Sequence, residues 1–222
     1  MALIHRLRFW CAWWVRLTHP LTIHGQKKFS DKKVIYCINH QSRLDAVVFL
    51  SNFKIAPICL YKSEFRQNKF LRCLFDKLGY IPIKRGEADL NATKMSLSVL
   101  KNNGSLLIFP EGTRNREGGL LPFKEGAALL AIKTKTPIRP FYIKQHFNKK
   151  GKTCGRAHIL VGDEFELSEY YDVKLDAVKL NEATEKIRSI IFKLSEALEE
   201  ILLAKKKRRK SKKSNNNTAS KK

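Results

Sequence analysis

The sequence predicts an α/β fold, a single domain with a largely parallel or mixed sheet flanked by helices. Three observations carry this. Short runs rich in Val, Ile, Leu and aromatic residues recur along the chain; stretches with apolar residues at helical spacing separate them; and polar turns bearing Gly or Pro punctuate the joins. With 222 residues the chain has enough length for one substantial core.

In chain order, Phe9-Trp10-Cys11-Ala12-Trp13-Trp14-Val15 is apolar but bracketed by Arg6, Arg8 and Arg16. It is too short to span a membrane, has no small-residue cleavage site after it, and reads as a short amphipathic helix lying in a membrane interface. The tryptophans suit the headgroup region. His19-Pro20 and Gly25 mark a break, and a polar, basic connector follows to Lys33. Val34 to Ile38 reads as a buried strand, and Ala46 to Leu50 as the opening of a helix.

Ile55 to Tyr61 reads as a second strand with Pro57 near its start. Lys62 to Leu78 has helical spacing, closed by Gly79 as a C′ residue. Tyr80 to Ile83 is a short strand, about Ala88 to Asn102 a helix, and Leu106 to Phe109 the most clearly buried strand. A helix from about Glu125 to Lys133 precedes strands at Ile138 to Ile143 and Ala157 to Val161. Leu180, Ala183, Ile187, Ile191, Leu194 and Leu198 recur at steps of three and four, one stripe of a long final helix. Beyond Ala204 nothing apolar remains to bury, and disorder is expected. The organisation is therefore 1–24, a membrane-interface segment; 25–204, the folded domain; and 205–222, a disordered Lys/Arg-rich tail.

Net charge is +24, and the tail supplies ten of these charges, so the rest of the chain is still strongly basic. Such a surface calls for an anionic partner: nucleic acid, a membrane or a phosphorylated substrate. The five cysteines are scattered without a C-x-x-C pair, which argues against a disulfide framework or zinc site and for a reducing compartment. No metal-ligand spacing, G-x-S-x-G, complete P-loop or G-x-G-x-x-G is present.

Three polar turns each follow an apolar strand: Asn39 to Asp45, Lys84-Arg85-Gly86, and Pro110 to Arg114. Ligands in open α/β sheets bind outside the carboxyl ends of strands, so these turns are placed to line one crevice. His40, with an acid five residues on, is a candidate base with an orienting partner. Ser42-x-x-Asp45 is equally a helix capping box that needs no function. The stretch alone leaves both readings open.

Asn39-His40-x4-Asp45 followed by Phe109-Pro110-Glu111-Gly112-Thr113-Arg114 resembles the glycerolipid acyltransferase family, and within it the 1-acyl-sn-glycerol-3-phosphate (lysophosphatidic acid) acyltransferases. Two further blocks match in order, Ile81-Pro82-Ile83-Lys84-Arg85 and Thr136-Pro137-Ile138-Arg139-Pro140. The matching region runs from about Val34 to Ile143; the segment before it is shorter than in many relatives.

The resemblance implies an acyltransferase of phospholipid synthesis, moving a fatty acyl group from acyl-CoA or acyl-acyl carrier protein to the hydroxyl of lysophosphatidate. It implies His40 as general base and Asp45 as the residue orienting it. Arg85 and Arg114 are then phosphate-binding, Glu111 contacts the glycerol or fixes the loop, and Gly112 and Thr113 shape it. No cofactor or metal is implied beyond the thioester co-substrate. The implied partners are an anionic phospholipid membrane at the cytoplasmic face, lysophosphatidate and an acyl carrier protein, with no nucleic acid. Glycerol 3-phosphate or another lysophospholipid remains an alternative acceptor, and a non-catalytic basic binding protein the alternative class.

Overall fold

The computed structural model describes residues 13–26, 33–53, 55–84 and 89–219, with side chains through Arg208 and at Ser211. The strands are β1 (Leu21–Gly25), β2 (Ile35–Ile38), β3 (Ile58–Lys62), β4 (Ile81–Ile83), β5 (Leu106–Ile108), β6 (Ile138–Lys144) and β7 (Ala157–Val161). The helices are α1 (Asp45–Asn52), α2 (Lys69–Lys77), α3 (Leu90–Lys101), α4 (Gly126–Thr134) and α5 (Ala177–Ala219); residues 13–18 are also helical.

The strands form one sheet in the order β1-β7-β6-β2-β5-β3-β4, parallel throughout except at the β6–β7 pair. The expected α/β class with a mixed sheet holds. β2 lies at the centre, with Ile35 opposite Leu106 on one side and Ile138 on the other. Its side chains alternate between two cores, as period-two geometry requires. Ile35 and Cys37 join Leu100, Ile132 and the α5 residues Ile187 and Ile191. Val34, Tyr36 and Ile38 join Phe49, Phe141 and Ile159. Burial on both faces explains why the run is apolar without alternation. The same burial pushes the Cys37 and Cys59 thiols up to about 12, which makes them inert packing residues.

Three elements differ from the sequence expectation, each for a physical reason. Leu21–Gly25 is a strand rather than a simple break, because parallel pairing with β7 supplies partners that the short, half-polar sequence does not advertise. The helix expected across Lys62 to Leu78 is split into a 3₁₀ turn, Ser63–Gln67, and α2. Asn68 divides them: its backbone is extended and its side chain accepts from Leu71 N at 3.1 Å, a helix N-cap. Asp89 caps α3 in the same way, accepting from Ala92 N at 2.9 Å. Finally, the disorder expected for 205–222 is corrected over 205–219, where α5 continues to Ala219. Lys and Arg are good helix formers, and extending an existing helix needs no new nucleus.

The β1–β7 edge holds a close histidine pair. His24 Nε2 and His158 Nδ1 lie 3.2 Å apart, with the His146 ring centred 6.1 Å from that of His158. Two such rings share one hydrogen well but cannot both carry charge at this distance. Burial first, then His24, His146, Lys205 and Arg156, lower His158 to about 4. A depressed histidine contributes stability above its unfolded value of 6.5 and loses it as pH falls toward the folded one. Thermal melts should therefore show His158→Phe less acid-sensitive than the parent across that window; parallel pH profiles would show that His158 carries no such linkage.

Candidate active site

The strands β6, β2, β5, β3 and β4 run in one direction, so their carboxyl ends share one edge of the sheet. Asn39 follows β2 directly and extends its ladder with a side chain. Its Nδ2 donates to Ile143 O at 3.0 Å and its Oδ1 accepts from Ile143 N at 2.7 Å, as a backbone peptide would. This fixes the chain direction just before His40.

The His40 backbone is then held from both sides by the turn after β5. Its N–H donates to Glu111 Oε1 at 2.8 Å, and its carbonyl accepts from Asn115 N at 2.7 Å. The Phe109 ring lies against the imidazole, 4.2 Å between centroids and tilted by 30°. On the ring itself, Nδ1 lies 3.0 Å from Asp45 Oδ2. An ionised carboxylate only accepts, so this contact assigns the hydrogen to Nδ1 and leaves Nε2 with its lone pair.

Asp45 is 0% exposed and is the first residue of α1. Its Oδ2 also accepts from Gln41 N and Ser42 N, each at 2.7 Å, and Oδ1 accepts from Gln145 Nε2 at 2.9 Å. Gln145 N in turn donates to Gln41 Oε1 at 2.8 Å. The helix N-terminus adds favourable dipole interaction with a negative charge there. Half of the capping box is present: Asp45 reaches back to Ser42 N, but the Ser42 hydroxyl accepts from Leu44 N rather than from Asp45 N. The cap and the histidine contact thus use the same carboxylate oxygen.

Glu111 is buried, and both of its oxygens meet backbone amides, Oε1 from His40 and Oε2 from Leu121 at 3.1 Å. Burial pushes its carboxyl above the ordinary glutamate range, while those two amides pull it back. Gly112 sits at φ +65°, a left-handed conformation that favours glycine, and its N–H donates to Phe109 O at 3.0 Å. Thr113 is exposed and Arg114 half-buried on the same loop. Arg85 lies outside the described residues, next to the exposed Lys84. Ile138 and Pro140 are buried in β6.

The structure therefore brings His40, Asp45 and the 111–114 loop together. It adds Asn39, Gln41, Asn115 and Gln145 as their supports, residues to which the sequence alone assigns no role. One signal was available for Gln145: it directly follows a strand at the same sheet edge as the other three turns. Among the described residues no group of three or more His, Cys, Asp or Glu is placed to hold a metal ion. A hollow of about 410 Å³ lined by Ile132, Lys135, Tyr171 and Leu175 lies past the C-terminal end of α4, away from His40.

The sequence profile described as acyltransferase matches residues 20–144, a span that contains every one of the sequence-predicted site residues. The chain belongs to the acyltransferase family. A 1-acyl-sn-glycerol-3-phosphate acyltransferase of Borreliella burgdorferi is 30% identical over 182 residues, 77% of this chain and 72% of the relative. One from Cocos nucifera is 34% identical over 133 residues, and a putative one from Caenorhabditis elegans 32% identical over 156. These alignments cover 59% and 67% of this chain but 42% and 54% of the relatives, so the chain spans about half the length of these two. The crystal structure of the 1-acyl-sn-glycerophosphate acyltransferase PlsC from Thermotoga maritima shares the acyltransferase fold, with a TM-score of 0.63 at 21% identity. That match covers 86% of this chain and 78% of PlsC.

Proposed function

We propose that this acyltransferase moves a fatty acyl group from a thioester, acyl-CoA or acyl-acyl carrier protein, to the free hydroxyl of 1-acyl-sn-glycerol 3-phosphate, giving phosphatidate. The observation that carries the reading is the buried His40–Asp45 pair at the carboxyl edge of the sheet. The relatives' names supply the acceptor.

In this reading His40 Nε2 takes the proton of the acceptor hydroxyl as its oxygen attacks the thioester carbonyl. A C–O bond forms, the tetrahedral oxyanion collapses, and the C–S bond breaks. The imidazolium returns its proton to the leaving thiolate sulfur. Asp45 keeps Nδ1 protonated and stabilises the transient positive charge, the role of the acid in a triad. The acceptor alcohol replaces an enzyme nucleophile, so transfer is direct. Backbone amides of the 111–114 loop are the source of oxyanion stabilisation, other than Gly112 N–H, which is already donated.

Glu111 fixes this loop to His40 in the proposal, given that both oxygens are engaged by amides. Arg114 grips the acceptor phosphate, with Arg85 as the second cation and Thr113 shaping the loop. Arg114→Ala should raise KM for lysophosphatidate on the order of tenfold to a hundredfold, from losing a charge-assisted contact, with a smaller change in kcat. An unchanged KM would take the phosphate away from Arg114.

The enzyme is further proposed to work peripherally on an anionic membrane at its cytoplasmic face. Among the described residues no helix is long and apolar enough to cross a bilayer. Trp13 and Trp14 are each more than half exposed, whereas Val15 of the same turn is buried. Trp10 lies outside the described residues. The deciding experiment offers lysophosphatidate, glycerol 3-phosphate and lysophosphatidylcholine, each with acyl-CoA and with acyl-acyl carrier protein. Mass spectrometry should find phosphatidate from the first acceptor. Product from another acceptor alone would reassign the substrate, and none at all would overturn the activity.

A further inference from the structure

The connection between β3 and β4 leaves the sheet at the edge that carries His40, because β3 is parallel to β5 and its last residue, Lys62, lies at the carboxyl end. The segment beyond Lys62 is unusual for a folded body. None of the residues of the 3₁₀ turn or of α2 is buried. Phe65 is 48% exposed and Phe70 75% exposed. The segment is nevertheless anchored: Phe75 sits between Tyr61 and Tyr80, with centroids at 4.4 and 5.9 Å, and Arg66 donates to the Tyr61 hydroxyl at 3.2 Å and to Asp76 at 2.9 Å. The segment with Lys62 carries Lys62, Arg66, Lys69, Arg72 and Lys77 against Glu64 and Asp76, a net charge of +3, with Lys62 paired to Glu64 and Arg66 to Asp76. Phe70, Cys73 and Lys77 share a side of α2 by their spacing.

The opposite flank of the sheet presents the same kind of surface at the same edge. β7 is antiparallel to β6, with His158 opposite Lys144, and β1 is parallel to β7, with Leu21 opposite Ala157. The start of β1, and with it the end of the helical residues 13–18, therefore lies at the carboxyl edge. Trp13, Trp14 and Leu17 are exposed there. His40, after the central β2, stands between the two apolar flanks.

We propose that Ser63–Lys77 is a second membrane-contacting element, inserting Phe65 and Phe70 among the headgroups of an anionic bilayer while its cations meet lipid phosphates. The sheet edge that carries His40 then faces the surface from which a lipid acceptor is drawn. Exposed aromatic side chains gain by leaving water, and flanking cations add attraction that fades within a Debye length. An acidic protein is the competing occupant. The bilayer is favoured because apolar residues stand at both flanks of the edge, a spread that suits a planar partner. The proposal rests on the membrane-peripheral reading above, and its test reads binding rather than turnover.

Cys73 is an exposed free thiol on α2 and provides a native attachment point. With Cys11→Ser and Cys154→Ser in the full chain, an environment-sensitive fluorophore on Cys73 reports insertion. On vesicles of phosphatidylglycerol and phosphatidylcholine the protein should sediment, and the fluorophore should shift to the blue and be quenched by a lipid-borne quencher. Phe65→Ser with Phe70→Ser should weaken partitioning about tenfold, with circular dichroism and melting unchanged, and Arg72→Glu should weaken it only at low salt. Sedimentation with an aqueous fluorophore overturns this element alone. Failure to sediment overturns the membrane reading with it. A response to acyl carrier protein in place of vesicles transfers the surface to a protein partner.

Discussion

His40→Ala is expected to lower acyl transfer by on the order of 10²- to 10⁴-fold, the usual contribution of a positioned base, without unfolding the chain. The separation of effects follows from how the residue is held. Its backbone contacts to Glu111 and Asn115 do not involve the ring and survive in alanine. The ring contributes the contact with Asp45 and the face against Phe109. Thioester release measured beside far-UV circular dichroism reads both consequences at once. Turnover at the parental rate in a folded variant would remove the base from the mechanism.

Asp45→Asn is the second large effect, and it differs in kind. The carboxylate receives hydrogen bonds from the His40 ring, two backbone amides and the Gln145 side chain. A carboxylate accepts on both oxygens, whereas an amide must present an NH₂ on one side. If the NH₂ faces Oδ2's partners it opposes three donors; if it faces Gln145 it opposes one. With the NH₂ toward Gln145, whose half-buried side-chain amide can turn over and accept, the pairings survive, but the charge-assisted hydrogen bonds to the carboxylate are replaced by neutral ones about half as strong. The expected variant melts lower than His40→Ala and loses kcat on the order of 10²-fold or more, because Nδ1 no longer has an anion to hold its tautomer. A variant with unchanged melting and parental kcat would assign Asp45 to a different task.

The sequence speaks clearly wherever a signal is local. Leu106 to Ile108 and Ala157 to Val161 are strands because short apolar runs with both faces covered have few alternatives. The spacing of His40 and Asp45 is readable because four intervening residues form one turn into a helix. The 3₁₀ turn at Ser63–Gln67 is hidden in the sequence because a single side chain, that of Asn68, decides where α2 begins. β1 is hidden because its pairing partner is more than a hundred residues away. The role of Glu111 stands between substrate and loop on sequence grounds, and only its two amide partners narrow the choice. Gln145 shows the limit most plainly: its contact with Asp45 spans a separation of 100 residues.

That spacing has a consequence for how the chain becomes competent. The supports of His40 come from 71 residues downstream in Glu111, and those of Asn39 and Asp45 from 104 and 100 residues downstream in Ile143 and Gln145. During synthesis the histidine leaves the ribosome long before any of them. Contacts this distant in sequence form slowly, because loop closure comes before the contacts that reward it. A nascent chain that ends before β6 holds neither the Asn39 ladder nor the second oxygen of Asp45 in place. Activity is thus a late event in folding, arriving only when β6 docks against β2.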